Sequence, residues 1–110
     1  MLVRNRAAVA PVTYTDASQG VEMRPLITER EGAPHFAMRV FTLEPGGHTP
    51  YHAHAWEHQV YILDGHGSVR STDGERPLQK GDCVLVAPYE EHQFCADSDG
   101  LQFICCAPHH

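Results

Sequence analysis

The chain has little that would take it to a polymer or a membrane. Eight Lys and Arg stand against fourteen Asp and Glu in 110 residues, for a net charge of -6. No basic run interrupts that balance, so nothing electrostatic recommends nucleic acid or an anionic membrane as a partner. No apolar stretch is long enough to span a bilayer. The opening MLVRNRAAVAPVTYTD is too short and too interrupted for a signal-peptide core, which makes the cytoplasm the expected location. Phosphate-binding loops, dinucleotide fingerprints and nucleophile elbows are all missing. The four cysteines, Cys83, Cys95, Cys105 and Cys106, lack the paired spacing of a zinc knuckle or redox motif, and most of them read as small buried hydrophobes. No segment carries a helical period with caps.

What is present is turn-forming residues and short alternating runs. Nine Gly and eight Pro in a chain that is 42% hydrophobic describe a folded globule rich in turns. A chain this long buries roughly two thirds of its extended surface, enough for one core. Strands are expected over Val21–Ile27, Phe36–Leu43, Tyr51–His54, Glu57–Leu63, His66–Ser71, Cys83–Ala87, His92–Ala96 and Leu101–Ala107. Asp64-Gly65 is expected to close a hairpin, Asp97–Gly100 another, and Asp16–Gly20 a further turn. An arm or edge strand precedes them, and EREGAP (29–34) reads as a loop. Short strands at this spacing make an all-β sandwich or closed barrel. Alternation puts Phe36, Met38, Val40 and Thr42 on one face of their strand and Ala37, Arg39, Phe41 and Leu43 on the other. Both faces are partly apolar. A symmetric homodimer, with this strand and the N-terminal arm across the axis, would cover the second face.

The chemistry is concentrated in GGHTPYHAHAWEHQVYILDG, residues 46–65, where His52, His54 and His58 fall within seven positions. In a strand His52 and His54 share a face, and His58 opens the next strand with Val60 and Ile62 on its side. Converging imidazoles suit a divalent transition metal. On spacing alone, three unrelated solvated histidines remain the alternative. His92 opens a later strand, where it could face inward with Phe94 as a fourth ligand. Glu57 lies one position off the histidine face and reads as solvated, Trp56 and Tyr51 as rim residues. His48 and His66 read as surface or turn positions, His35 as a rim or interface residue, and His109 and His110 carry no functional weight.

The register of these residues resembles a small single-domain cupin of the RmlC-like type. Gly46 is followed after five residues by His52, then His54, then after three residues His58 at the family's glutamate position, and after six more Gly65. A second, degenerate motif starts at Gly81, with Ala87 at the usual proline, Tyr89 at the glycine, His92 at the histidine and Ala96 at the asparagine. The resemblance implies a double-stranded β-helix or jelly-roll barrel over residues 36–107, after an arm and edge strand over 1–35 and before a tail at 108–110. It implies a metal site of His52, His54, His58 and His92, similar to manganese-binding cupins with an HxHxWEH signature; HAHAWEH is the version here.

Four neutral imidazoles leave the ion its full charge, attractive to enolate-like oxygens. Imidazole does not choose among Mn, Fe, Ni, Cu and Zn; the resemblance favours Mn. Met38, Ile62, Phe94 and Cys105 are expected to shape the pocket, Cys105 as a redox-sensitive wall. No catalytic side chain is expected beyond the ligands. The expected function is a metal-dependent, dioxygenase-like oxidoreductase acting on a small organic substrate. The alternatives are a non-catalytic metal-dependent binding or sensor domain, and a metal-dependent isomerase or cyclase.

Overall fold

The computed structural model describes residues 1–14 and 17–110. Seven strands follow in chain order: β1 (Val12–Tyr14), β2 (Gln19–Ile27), β3 (Phe36–His48), β4 (His58–Ser71), β5 (Gly74–Gln79), β6 (Cys83–Val86) and β7 (Gln93–Pro108). They pair in the order β1-β2-β3-β7-β4-β5, with β6 on the other edge of the first half of β4, and every pairing is antiparallel. This is an all-β jelly roll in one domain. Among the described residues no helix is long and apolar enough to cross a membrane.

Two expected hairpins are absent. β4 runs through Asp64-Gly65, and β7 runs through the expected 97–100 turn. The expected turn over 16–20 begins at Asp16, which lies outside the described residues. Gly65 and Gly100 do take positive φ, 82° and 78°, but at places where two long strands bend together. The β4–β7 register slips on both sides of Gly65, and a Cβ on Gly65 would collide with the Gly100 carbonyl. The glycines therefore allow a backbone approach that lets the sheet fold over on itself. A tight hairpin does form at Thr72-Asp73, where Ser71 pairs with Gly74.

Inward positions close the core. Leu43, Val60, Ile62, Leu78, Val86, Phe94, Leu101, Phe103 and Cys105 are buried in one cluster. Ala37, Arg39, Phe41 and Leu43 form the inner face of β3, because Arg39 pairs with Cys105 and Phe41 with Phe103 across the sheet. Met38 faces out beside Ile27, Phe36 and His35. The N-terminal arm docks on its own chain. β1 pairs with β2, Arg4 donates to the Leu26 carbonyl, and Arg24 donates to those of Arg6 and Val9. These contacts seat the arm along the edge of β2 and leave Met1, Leu2, Val3 and Val12 exposed.

Candidate metal centre

The segment from Thr49 to Glu57 leaves the sheet, and three sets of hydrogen bonds hold it over the open end of the core. Thr49 and Phe94 exchange bonds: Thr49 N–H donates to the Phe94 carbonyl, and Phe94 N–H donates to Thr49 Oγ1, both at 2.9 Å. His52 and His92 form an isolated bridge, each N–H donating to the other's carbonyl, at 3.1 and 2.9 Å. Tyr89 N–H donates to the His54 carbonyl at 2.7 Å. The two histidine-bearing segments are thus tied together at three consecutive steps. Tyr51–His54 contributes only the bridge at His52, not the strand expected. Tyr89 takes φ 65°, a left-handed conformation that suits glycine, the residue the family pattern has there.

The ligand nitrogens of His52, His54 and His92 lie within 4.8 Å of one another. Two rings are oriented from behind. His54 Nδ1 donates to the Trp56 carbonyl at 2.9 Å, and His92 Nδ1 donates to that of Glu90 at 2.8 Å. A carbonyl only accepts, so each neutral ring carries its proton on Nδ1 and leaves Nε2 as a bare lone pair. His54 Nε2 is buried and has no hydrogen-bond partner. An unpaired buried acceptor is unfavourable unless something else fills its lone pair, and a metal ion does so. The donor set therefore fits a divalent ion.

His58 stands beside this trio and outside its tight set. Its ring stacks on that of His54 with centroids 4.3 Å apart, and its Nδ1 lies 3.5 Å from Cys105 Sγ. Burial, with the neighbouring His54 and His92, pushes the His58 imidazole down to about 3. Burial first, then adjacent histidines, also lowers His52; burial lowers His92 against a weaker opposing pull from the Glu90 carbonyl. These imidazoles are held neutral, the form that ligates.

A cavity of about 210 Å³ opens in front of the histidines. Phe94 and Cys105 line it, with Phe41 and Phe103 beside them. Ile62 is wholly buried in the core and does not reach it. Met38 is not on its wall either, since strand alternation turns it to the outer face. Burial pushes the Cys105 thiol up to about 11, which favours its protonated form. Arg39 and His110 are among the wall residues that were not anticipated. Arg39 lies there because its strand face, shared with Phe41, is the inner one. His110 stacks on Trp56 with centroids 3.6 Å apart. Trp56 in turn stacks on His54. His48 lies near Gln93, and His66 pairs with Asp99 on the surface.

Residues 39–105 match the cupin domain family. The chain belongs to the cupins. Among solved structures, this cupin is similar to the polyketide cyclase RemF from Streptomyces resistomycificus, with a TM-score of 0.92 and 27% identity over 98% of this chain and 79% of that one. Among characterised proteins, it is 39% identical over 56 residues to gentisate 1,2 dioxygenase 1 of Aquipseudomonas alcaligenes, which is 50% of this chain and 16% of that protein. It is 33% identical over 69 residues to the 1-methylthio-D-xylulose 5-phosphate methylsulfurylase of Rhodospirillum rubrum, which is 62% of this chain and 44% of that protein. The matches span less than half the length of either.

Proposed function

We propose that this cupin is a divalent-metal oxidoreductase of the dioxygenase kind, acting on a small organic substrate that binds through its oxygens. The observation that carries the reading is the bare, buried His54 Nε2 beside His52 and His92. These three would hold the ion, and rotation of His58 off its stack would complete a four-histidine set. Bound there, a divalent ion, manganese ahead of iron, nickel, copper or zinc, would supply Lewis acidity and charge for an enolate or phenolate oxygen.

The remaining work falls to the chain itself. The Trp56 and Glu90 carbonyls fix the His54 and His92 tautomers, and Phe41, Phe94 and Phe103 exclude water from the inner end of the cavity. Among the described residues lining the cavity there is no carboxylate to serve as a general base, and the clustered histidines would be engaged in ligation. That favours chemistry driven by the ion over proton shuttling. The local identity with a dioxygenase supports this reading. A second reading, an oxygen-independent cyclase or isomerase, is supported by the likeness to RemF across nearly the whole chain.

Oxygen uptake separates them. Protein stripped with a chelator and reloaded with Mn, Fe, Ni or Zn is given phenolic and enolisable compounds in an oxygen electrode. Uptake that disappears in His54→Ala supports the oxidoreductase. Turnover without uptake favours the cyclase, and tight binding without turnover leaves a sensor domain and sinks both.

The outer face of β4, β6 and β7 supports a homodimer. Tyr61 and Leu85 are 51% and 64% exposed there, beside Cys83, Ile104 and Cys106. Contiguous apolar surface of this kind fits a self-complementary interface. A monomer by light scattering, unchanged by Leu85→Glu, would remove that proposal.

A further inference from the structure

Among the described residues lining the cavity in front of the histidines, Arg39 is the one with a permanently charged side chain. It is half-buried on the cavity wall, reached from the inner face of β3. Its guanidinium is charged at any working pH and offers a planar fork of donors. Among the described residues it forms no hydrogen bond or ion pair, and none of those lining the cavity is acidic. Arg4, Arg24, Arg70 and Arg76, by contrast, pair with acidic groups. Arg39 sits directly across the sheet from Cys105, itself a wall residue of the same cavity.

A half-buried cation facing neutral imidazoles and aromatic rings is poorly solvated, and an anion entering the cavity would satisfy it. We infer that Arg39 is the specificity residue of this site and receives a carboxylate of the ligand, so that the substrate class is a small aromatic or enolic acid. Resting on the metal reading above, the ligand's hydroxyl or enol oxygens would face the histidines while its carboxylate meets the guanidinium fork. The cavity of about 210 Å³ falls below the usual range for drug-sized ligands, which limits the ligand to about one substituted ring.

The test compares 3,4-dihydroxybenzoate with its neutral amide, 3,4-dihydroxybenzamide, by calorimetry on Mn-loaded protein. The two differ only in the group meant for Arg39. The wild type should bind the acid at least about tenfold tighter than the amide. Arg39→Gln should bring the two within about twofold at unchanged metal content, and Arg39→Lys, which keeps the charge but not the fork, should retain part of the preference. Equal binding of acid and amide by the wild type overturns the assignment, and so does a preference that survives in Arg39→Gln. Benzoate and benzamide titrated into metal-free protein keep the two readings apart. If the protein takes up no metal, a benzoate preference lost in Arg39→Gln upholds the role of Arg39 while the metal reading fails. No such preference in the metal-free protein, with no metal uptake, overturns both.

Discussion

Trp56 holds His54 twice, by its backbone and by its ring. Its carbonyl accepts the His54 Nδ1 proton at 2.9 Å, and its indole stacks on the imidazole with centroids 4.4 Å apart and planes within 3° of parallel. One residue therefore fixes both the tautomer and the tilt of the ring whose other nitrogen is bare.

Trp56 is the only tryptophan in the chain. Adding Mn or Ni to stripped protein should change its emission and saturate at one equivalent, which yields the dissociation constant directly. Trp56→Phe keeps the carbonyl and a ring, so it should weaken binding less than Trp56→Ala, for which a loss of about tenfold is expected. Competition with a fluorescent chelator checks both variants.

Unequal ligand roles should show in the histidine variants. His52→Ala, His54→Ala and His92→Ala each remove a nitrogen of the preassembled trio, and each should weaken metal binding by more than about a hundredfold. His58→Ala removes a ring that must first leave its stack, so its loss should be smaller. Metal content after dialysis measures the difference, and equal losses at all four positions would contradict the unequal roles.

Acid should destabilise the metal-free protein. The His58 imidazole is pushed down to about 3 in the fold, from an ordinary value of 6.5, and His52 and His92 are also lowered. Between those limits the unfolded chain binds more protons than the folded one, so stability rises with pH across that window. The stabilisation is complete above about pH 6.5 and is lost as pH falls toward about 3. Melting temperature should therefore drop between about pH 7.5 and about pH 5, and His58→Phe should flatten the curve. His66 shifts the other way beside Asp99, but it is exposed and should contribute little.

Tyr89 carries backbone strain at an exposed turn, with φ 65° and its side chain largely in solvent. Tyr89→Gly should relieve it and stabilise the protein by about 0.5 kcal/mol, the left-handed penalty less the added entropy of the unfolded chain. Tyr89→Val should destabilise it, because a β-branched residue tolerates that region poorly. Urea denaturation of the three proteins checks the order.

The sequence by itself determined what depends on spacing and local alternation. His52, His54 and His92 fall in register with the cupin motifs, and the fold brings their nitrogens together. Arg39 and Phe41 share a strand face opposite Met38, as two-residue periodicity requires. What alternation could not say is which face looks inward, because both carry apolar side chains. The tertiary structure decided that by pairing Arg39 with Cys105 and Phe41 with Phe103, which put a cation in the cavity and Met38 outside it. The glycines had the same ambiguity. A positive φ at Gly65 serves a hairpin or a bend equally well, and only the Gly100 backbone packed against it selected the bend. His58 shows the limit most plainly: its position in the motif is local, but the direction of its ring is settled by the His54 imidazole and the Cys105 thiol, which come from elsewhere in the chain.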